Sequence, residues 1–127
     1  MKILIVDDES GTRNALKTGL TSFGYQVLAA ADAPEALKII ESSINTVEPV
    51  EIMVTDLRMP GVNGLELIRS AKKMSPGLAA ILMTAYGDDH IREEVTNLGR
   101  CKYIDKPFVP GALLNIIEEI LAVQKPM

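Results

Sequence analysis

Ile52-Met53-Val54-Thr55-Asp56-Leu57-Arg58-Met59-Pro60-Gly61-Val62-Asn63-Gly64 starts as an unbroken apolar run, ends that run on an acid, and then turns through proline and glycine. Runs rich in Ile and Val with no polar alternation belong to strands covered on both faces, the condition of a parallel sheet. Ile3-Leu4-Ile5-Val6 repeats the pattern and ends on Asp7-Asp8. Ala79-Ala80-Ile81-Leu82-Met83 runs into Thr84, and Tyr103-Ile104-Asp105 runs into Lys106-Pro107. In open α/β sheets, ligands bind outside the carboxyl ends of the strands. Asp7, Asp8 and Asp56, with the Thr84 hydroxyl and the Lys106 ammonium, therefore point to one pocket at that edge. The set suits a divalent cation held beside a phosphoryl group, because carboxylates are hard oxygen ligands for Mg²⁺ and Lys and Thr bond phosphoryl oxygens.

Strand-like runs at 3–6, 26–30, 52–55, 79–84 and 101–104 alternate with five segments of helical periodicity. That is the βα repetition of a doubly wound sheet with helices on both faces. The first helix carries Ala15, Leu16, Leu20 and Phe23 at helical spacing and stops at Gly24. The second starts with Asp32 as N-cap and Glu35 three residues on, a capping-box variant with an early Pro34. The third opens after Asn63-Gly64, packs through Leu65, Leu67, Ile68 and Ala71, and closes at Ser75-Pro76-Gly77. The fifth runs from Pro110 with Leu113, Ile117, Ile120 and Leu121 on one face. Between Asp88 and Leu98 the fourth helix shows a narrow stripe of Ile91, Val95 and Leu98, flanked by Arg92, Glu93 and Glu94, which predicts weak docking. Ser42 to Val50 reads as a polar surface loop without chemistry, and there is no internal repeat.

A chain of 127 residues fits one domain with one sizeable core and has no room for a second catalytic domain. Its 47% apolar and 24% charged residues are ordinary for a soluble globular protein, and no apolar stretch approaches the roughly 20 residues that span a bilayer. No membrane association is expected. Met1-Lys2 leads straight into the first strand without a secretory signal, so the cytoplasm is the expected location. The single Cys101 has no partner for an internal disulfide and, at the start of an apolar run, reads as a packed thiol. A net charge of −4 argues against direct nucleic-acid binding by this domain. His90, near the start of the fourth helix, reads as a surface residue.

Asp7-Asp8, Asp56 with Met59-Pro60 and Gly64, Thr84-Ala85, and Lys106-Pro107, in this order and spacing, closely resemble the receiver domain of two-component response regulators. The resemblance covers essentially the whole chain. It implies one receiver domain over residues 1–127 with a flavodoxin-like (βα)5 fold and strand order 2-1-3-4-5. Because the chain ends just after the fifth helix, where larger regulators begin a linker, an N-terminal fragment of a longer regulator is also an expectation. By the same resemblance, Asp56 accepts a phosphoryl group from a phosphohistidine, and the domain slowly catalyses its own phosphoryl gain and loss without being an enzyme in its own right. Mg²⁺ is coordinated by Asp8 directly, by Asp7 through a water, by Asp56, and by the backbone carbonyl of Arg58. Lys106 pairs with Asp56 and later with the phosphoryl group, and the Lys106-Pro107 peptide is expected to be cis.

The resemblance also makes Thr84 and Tyr103 a switch pair, in which the hydroxyl moves to the phosphoryl group and the aromatic ring turns into the vacated space. Ala85 leaves room for the phosphoryl group, and Arg58 and Tyr86 flank the pocket where they tune phosphoryl lifetime. The implied partners are a sensor histidine kinase or phosphotransfer protein, a second copy meeting the face formed by helix four, strand five and helix five, and a downstream effector domain. Arg100 stands where Ala is typical of the family and Lys102 where a small or acidic residue is common, which puts the identity of the partner at that face in doubt.

Plainer roles stand beside each of these. Asp56 can cap the Pro60-Gly61 turn, Asp7 or Asp8 can cap the first helix, Lys106 can be a solvated lysine, and Thr and Tyr are ordinary strand residues. An aspartyl-phosphate phosphatase similar to haloacid dehalogenases requires a second Asp two residues after the nucleophile, and Arg58 stands there. A flavodoxin-like domain holding a flavin mononucleotide requires a Ser/Thr/Gly-rich phosphate loop where Asp7-Asp8 stand. A degenerate receiver acting as a scaffold would not need the intact acid set.

Overall fold

Ile3 and Ile5 lie fully buried in one apolar cluster and Leu4 and Val6 in another, because successive strand side chains point to opposite faces and both faces are covered. The computed structural model describes residues 2–85 and 88–124. Five strands alternate with five helices: β1 (Lys2–Val6), α1 (Ser10–Ser22), β2 (Gln26–Ala30), α2 (Ala33–Ser43), β3 (Val50–Asp56), α3 (Gly64–Met74), β4 (Ala79–Thr84), α4 (Asp89–Thr96), β5 (Cys101–Asp105) and α5 (Pro110–Gln124). All pairings are parallel and the strand order is β2-β1-β3-β4-β5, as the family resemblance implies. On one face, Leu16 and Leu20 of α1 and Leu113 and Ile117 of α5 pack on Ile3, Ile52 and Ile81. On the other, Ile40 of α2, Leu67 and Ile68 of α3 and Val95 of α4 pack on Leu4, Met53 and Leu82. The sheet grows from β1 to β2 on one side and then to β3 on the other. Strand order reverses at β1 and β3, the place where such sheets hold their ligands.

Side-chain caps set several helix boundaries. Asp32 accepts a bond from the Glu35 amide at 2.9 Å, while Glu35 Oε2 accepts from the Ala31 amide at 3.3 Å. The expected capping box thus forms, with its return bond one residue before the cap. Asn63 starts α3 in the same manner, accepting from the Glu66 amide at 2.9 Å.

Some elements depart from the sequence reading. Ala15 and Phe23, expected on the buried stripe of the first helix, are both exposed, Phe23 at 47%. Ala15 lies about 100° around the axis from Leu16, and Phe23 is the C-cap, past the last turn that keeps Leu16 and Leu20 facing the sheet. The expected loop from Ser42 to Val50 is shorter, since α2 continues to Ser43 and β3 begins at Val50. Buried Ser43 ties these ends together, donating to the Ile40 carbonyl at 2.9 Å and accepting from the Val50 amide at 3.1 Å. The fourth helix ends at Thr96, two residues before Leu98. It buries Val95, with Ile91 and Leu98 half-buried at its margin, in keeping with its narrow apolar stripe. Cys101 is buried as a free thiol, and burial pushes its pKa up. Among the described residues, no helix is long and apolar enough to cross a membrane.

Candidate functional site

Parallel register brings the strand ends to one edge. Val6 lies beside Thr55, Asp56 beside Met83, and Thr84 beside Asp105. Pairing continues one residue past two of the strands, with the Asp7 amide donating to the Ala30 carbonyl at 3.2 Å and the Lys106 amide to the Thr84 carbonyl at 2.8 Å. Asp7, Asp8 and Asp56 are thereby brought together, each offering a carboxylate oxygen within 4.8 Å of the others. Lys106 Nζ lies 3.0 Å from Asp56 Oδ1. The Lys106-Pro107 peptide is cis, as the family resemblance implies.

The three acids sit in different surroundings. Asp8 is exposed, Asp56 is half-buried, and Asp7 is 1% exposed. One oxygen of Asp7 accepts from the Glu9 amide at 2.9 Å, while the other is buried with no hydrogen-bond partner. Burial raises the Asp7 pKa above 3.8; the Glu9 amide opposes this, the Asp56 charge adds to it, Lys106 opposes it and Asp8 adds to it. The N-cap of α1 is Glu9, so neither Asp7 nor Asp8 serves as the helix cap. An orphaned carboxylate oxygen among three acids is the arrangement that a hard divalent cation completes, and the all-oxygen donor set fits Mg²⁺.

Gly64 explains how α3 can start so close to Asp56. A Cβ at this position would overlap the Asp56 carbonyl oxygen and stand 2.8 Å from Leu82 Cδ1. The Gly64 amide also donates to the Leu57 carbonyl at 2.8 Å, closing the turn after the acid. Glycine is required here by close approach.

The remaining expected residues lie at the rim. Thr84 is buried at the end of β4, and its hydroxyl donates toward Asp105 Oδ1 at 2.7 Å and the Ile104 carbonyl at 3.2 Å. Tyr103 is 38% exposed, with the Arg92 guanidinium carbon 5.6 Å from its ring centroid. The Arg58 side chain turns to Asp88, Nη2 donating to Oδ1 at 2.9 Å, while Asp88 Oδ2 accepts from the Ala85 amide at 2.9 Å. Tyr86, expected beside the pocket, lies outside the described residues. Exposed His90 has Nε2 3.5 Å from Glu94 Oε1 on its own helix.

Sequence reasoning left Asp88, Arg92 and Asp105 without roles. Arg92 joins α4 to Asp105, with Nη2 at 2.7 Å and Nε at 2.8 Å from Oδ1. The Thr84 hydroxyl and then the Arg92 guanidinium hold the Asp105 carboxyl below its ordinary pKa. Alternation along β5 places Asp105 on the same side as Tyr103. Its meeting with Thr84 depends on the β4–β5 register, for which the sequence carries no local signal.

Residues 3–118 match the family described as response regulator receiver domain. The chain is 32% identical over 123 residues to sporulation initiation phosphotransferase F of Bacillus subtilis (strain 168), covering 97% of this chain and 95% of that protein. It is also 32% identical over 124 residues to transcriptional regulatory protein GlrR of Escherichia coli (strain K12), covering 98% of this chain but 27% of that protein. The crystal structure of a response regulator receiver domain protein from Clostridium thermocellum superposes with a TM-score of 0.88 at 30% identity, covering 97% and 95% of the two chains. Sequence match, fold and strand-edge acids agree, and the chain belongs to the receiver domain family of two-component response regulators.

Proposed function

We propose that Asp56 is the phosphoacceptor of this receiver domain, taking a phosphoryl group from a phosphohistidine on a sensor kinase or phosphotransfer protein in a Mg²⁺-dependent reaction. The observation that carries this reading is the half-buried Asp56 carboxylate, 3.0 Å from Lys106 and grouped with the carboxylates of Asp7 and Asp8. Two relatives, sporulation initiation phosphotransferase F and transcriptional regulatory protein GlrR, bear names that fit such a role in relaying a signal.

Transfer through a loose transition state needs alignment and charge neutralisation more than proton transfer. Lys106 holds one Asp56 oxygen and orients the carboxylate. The other oxygen attacks phosphorus; the new O–P bond forms as the N–P bond to the donor imidazole breaks, and the departing nitrogen keeps the electron pair and takes up a proton. Bound Mg²⁺, held by Asp7, Asp8, Asp56 and the Arg58 carbonyl, would neutralise charge on the phosphoryl oxygens. Lys106 and the Thr84 hydroxyl then bond the transferred group, with the small Ala85 leaving it room. The acyl phosphate so formed biases the surface of α4, β5 and α5, which meets a second copy, an effector domain or another output partner. Such a domain works in the cytoplasm as a slow self-catalysing switch.

Treatment with a small-molecule phosphodonor and Mg²⁺ tests the assignment. One acid-labile, hydroxylamine-sensitive adduct on the native protein, absent from Asp56→Asn, is the expected result. Equal labelling of both proteins refutes it.

A further inference from the structure

The Thr84 hydroxyl has one proton to donate, and that proton is directed toward Asp105 Oδ1 at 2.7 Å and the Ile104 carbonyl at 3.2 Å. The same Asp105 oxygen takes both contacts from Arg92 of α4, at 2.8 Å from Nε and 2.7 Å from Nη2. Arg92 also donates to the Ala85 carbonyl at 3.2 Å and stands over the half-exposed Tyr103 ring. One carboxylate oxygen and one guanidinium thus touch Thr84, Tyr103, α4 and the loop that follows β4.

We propose that Asp105, held in place by Arg92, is a positioning residue that keeps the Thr84 hydroxyl away from the phosphoryl group and the Tyr103 ring out of the space that hydroxyl would vacate in the resting protein. Phosphorylation must displace this contact to switch the domain. The proposal rests on the reading of Asp56 as phosphoacceptor and of Thr84 as the partner of the phosphoryl group.

The competition is direct because one donor proton serves one strong acceptor at a time. A phosphoryl group brings a charge of about −1.5 to −2 and three acceptor oxygens, more than a single carboxylate offers. Asp105 keeps 56% of its side chain exposed, so water competes for it and the resting contact yields reversibly. Val95 is buried and Ile91 packs half-buried on the core, and the Arg92 contacts add a polar tie from that narrow stripe of α4 to β5. A ligand shifts a two-state element only as far as it distinguishes the two states, so removal of Asp105 lowers what the phosphoryl group must overcome.

The test uses the full chain, ¹H–¹⁵N NMR of the Thr84, Tyr103 and α4 amides, and titration with beryllium trifluoride in Mg²⁺ as a phosphoryl mimic. Asp105→Ala is expected to sit partway toward the saturated spectrum before any mimic is added, and to reach half-saturation at a concentration about tenfold lower than the native chain, the scale of one lost charge-assisted hydrogen bond. Asp105→Asn, which keeps an acceptor oxygen, falls between the two. In a Thr84→Ala background the Asp105→Ala effect is expected to shrink to what the Arg92 contact alone carries, a loss that a purely structural role of Asp105 does not require. Identical half-saturation of the native chain and Asp105→Ala overturns the proposal, as does an undiminished effect without the Thr84 hydroxyl. A native spectrum that the mimic does not move refutes the phosphoacceptor reading itself, a result separate from a response that ignores Asp105.

Discussion

Asp7 carries the most constrained charge of the site. It is 1% exposed, one of its oxygens has no hydrogen-bond partner, and Asp8 and Asp56 crowd it. In metal-free buffer at neutral pH this arrangement costs stability, because burial and like charge both disfavour the ionised form. Asp7→Asn keeps an oxygen for the Glu9 amide and removes the charge, so metal-free stability should rise by about 1 kcal/mol in urea unfolding. A fall in stability would count against the crowding argument. At this scale the sequence was informative wherever chemistry and strand ends coincide: Asp7, Asp8, Asp56 and Lys106 were all expected at one edge, and all meet there. It was uninformative for Arg92 and Asp105, whose contact depends on how α4 folds back against the strand that follows it. Ordinary surface charges give no sign in sequence of which opposite charge they will face.

At the scale of elements, the start of α3 is tied to β3 by a glycine. Gly64→Ala forces its new methyl into the Asp56 carbonyl and Leu82, so the helix must move away from the strand that carries the acid. The expected cost is about 2 kcal/mol in urea unfolding, the usual scale of overpacking, together with slower labelling of Asp56 by a small phosphodonor. Unchanged stability would show that α3 can shift freely. Gly64 is visible in the sequence as the residue after the Asn63 cap, but its contact with the Asp56 backbone is not. The apolar stripes of α3 and α4 were legible from 3.6-residue periodicity. Ala15 and Phe23 misled because periodicity alone marks neither the margin of a stripe nor the last residue of a helix.

For the whole molecule, a cation that binds the folded site and not the unfolded chain must stabilise the fold by linkage. At tenfold excess over its dissociation constant, Mg²⁺ should add about 1.4 kcal/mol. For a domain of this size that should raise the thermal midpoint by about 5 °C in calorimetry. Asp8→Ala should largely abolish the rise, and an equal rise in both proteins would place the cation elsewhere. Sequence alone determined the architecture: uninterrupted Ile- and Val-rich runs require cover on both faces, and their alternation with amphipathic helices leaves a doubly wound parallel sheet as the arrangement that buries them all. It determined the acid edge for the same reason, since polar residues at the ends of buried strands have only the rim to occupy. Tertiary structure alone decided which strand-end groups face one another. The β4–β5 register put Thr84 beside Asp105, and the packing of α4 brought Arg92 over both Asp105 and Tyr103. Register and helix placement arise from the summed packing of the sheet and its helices, and no local stretch of the chain encodes them.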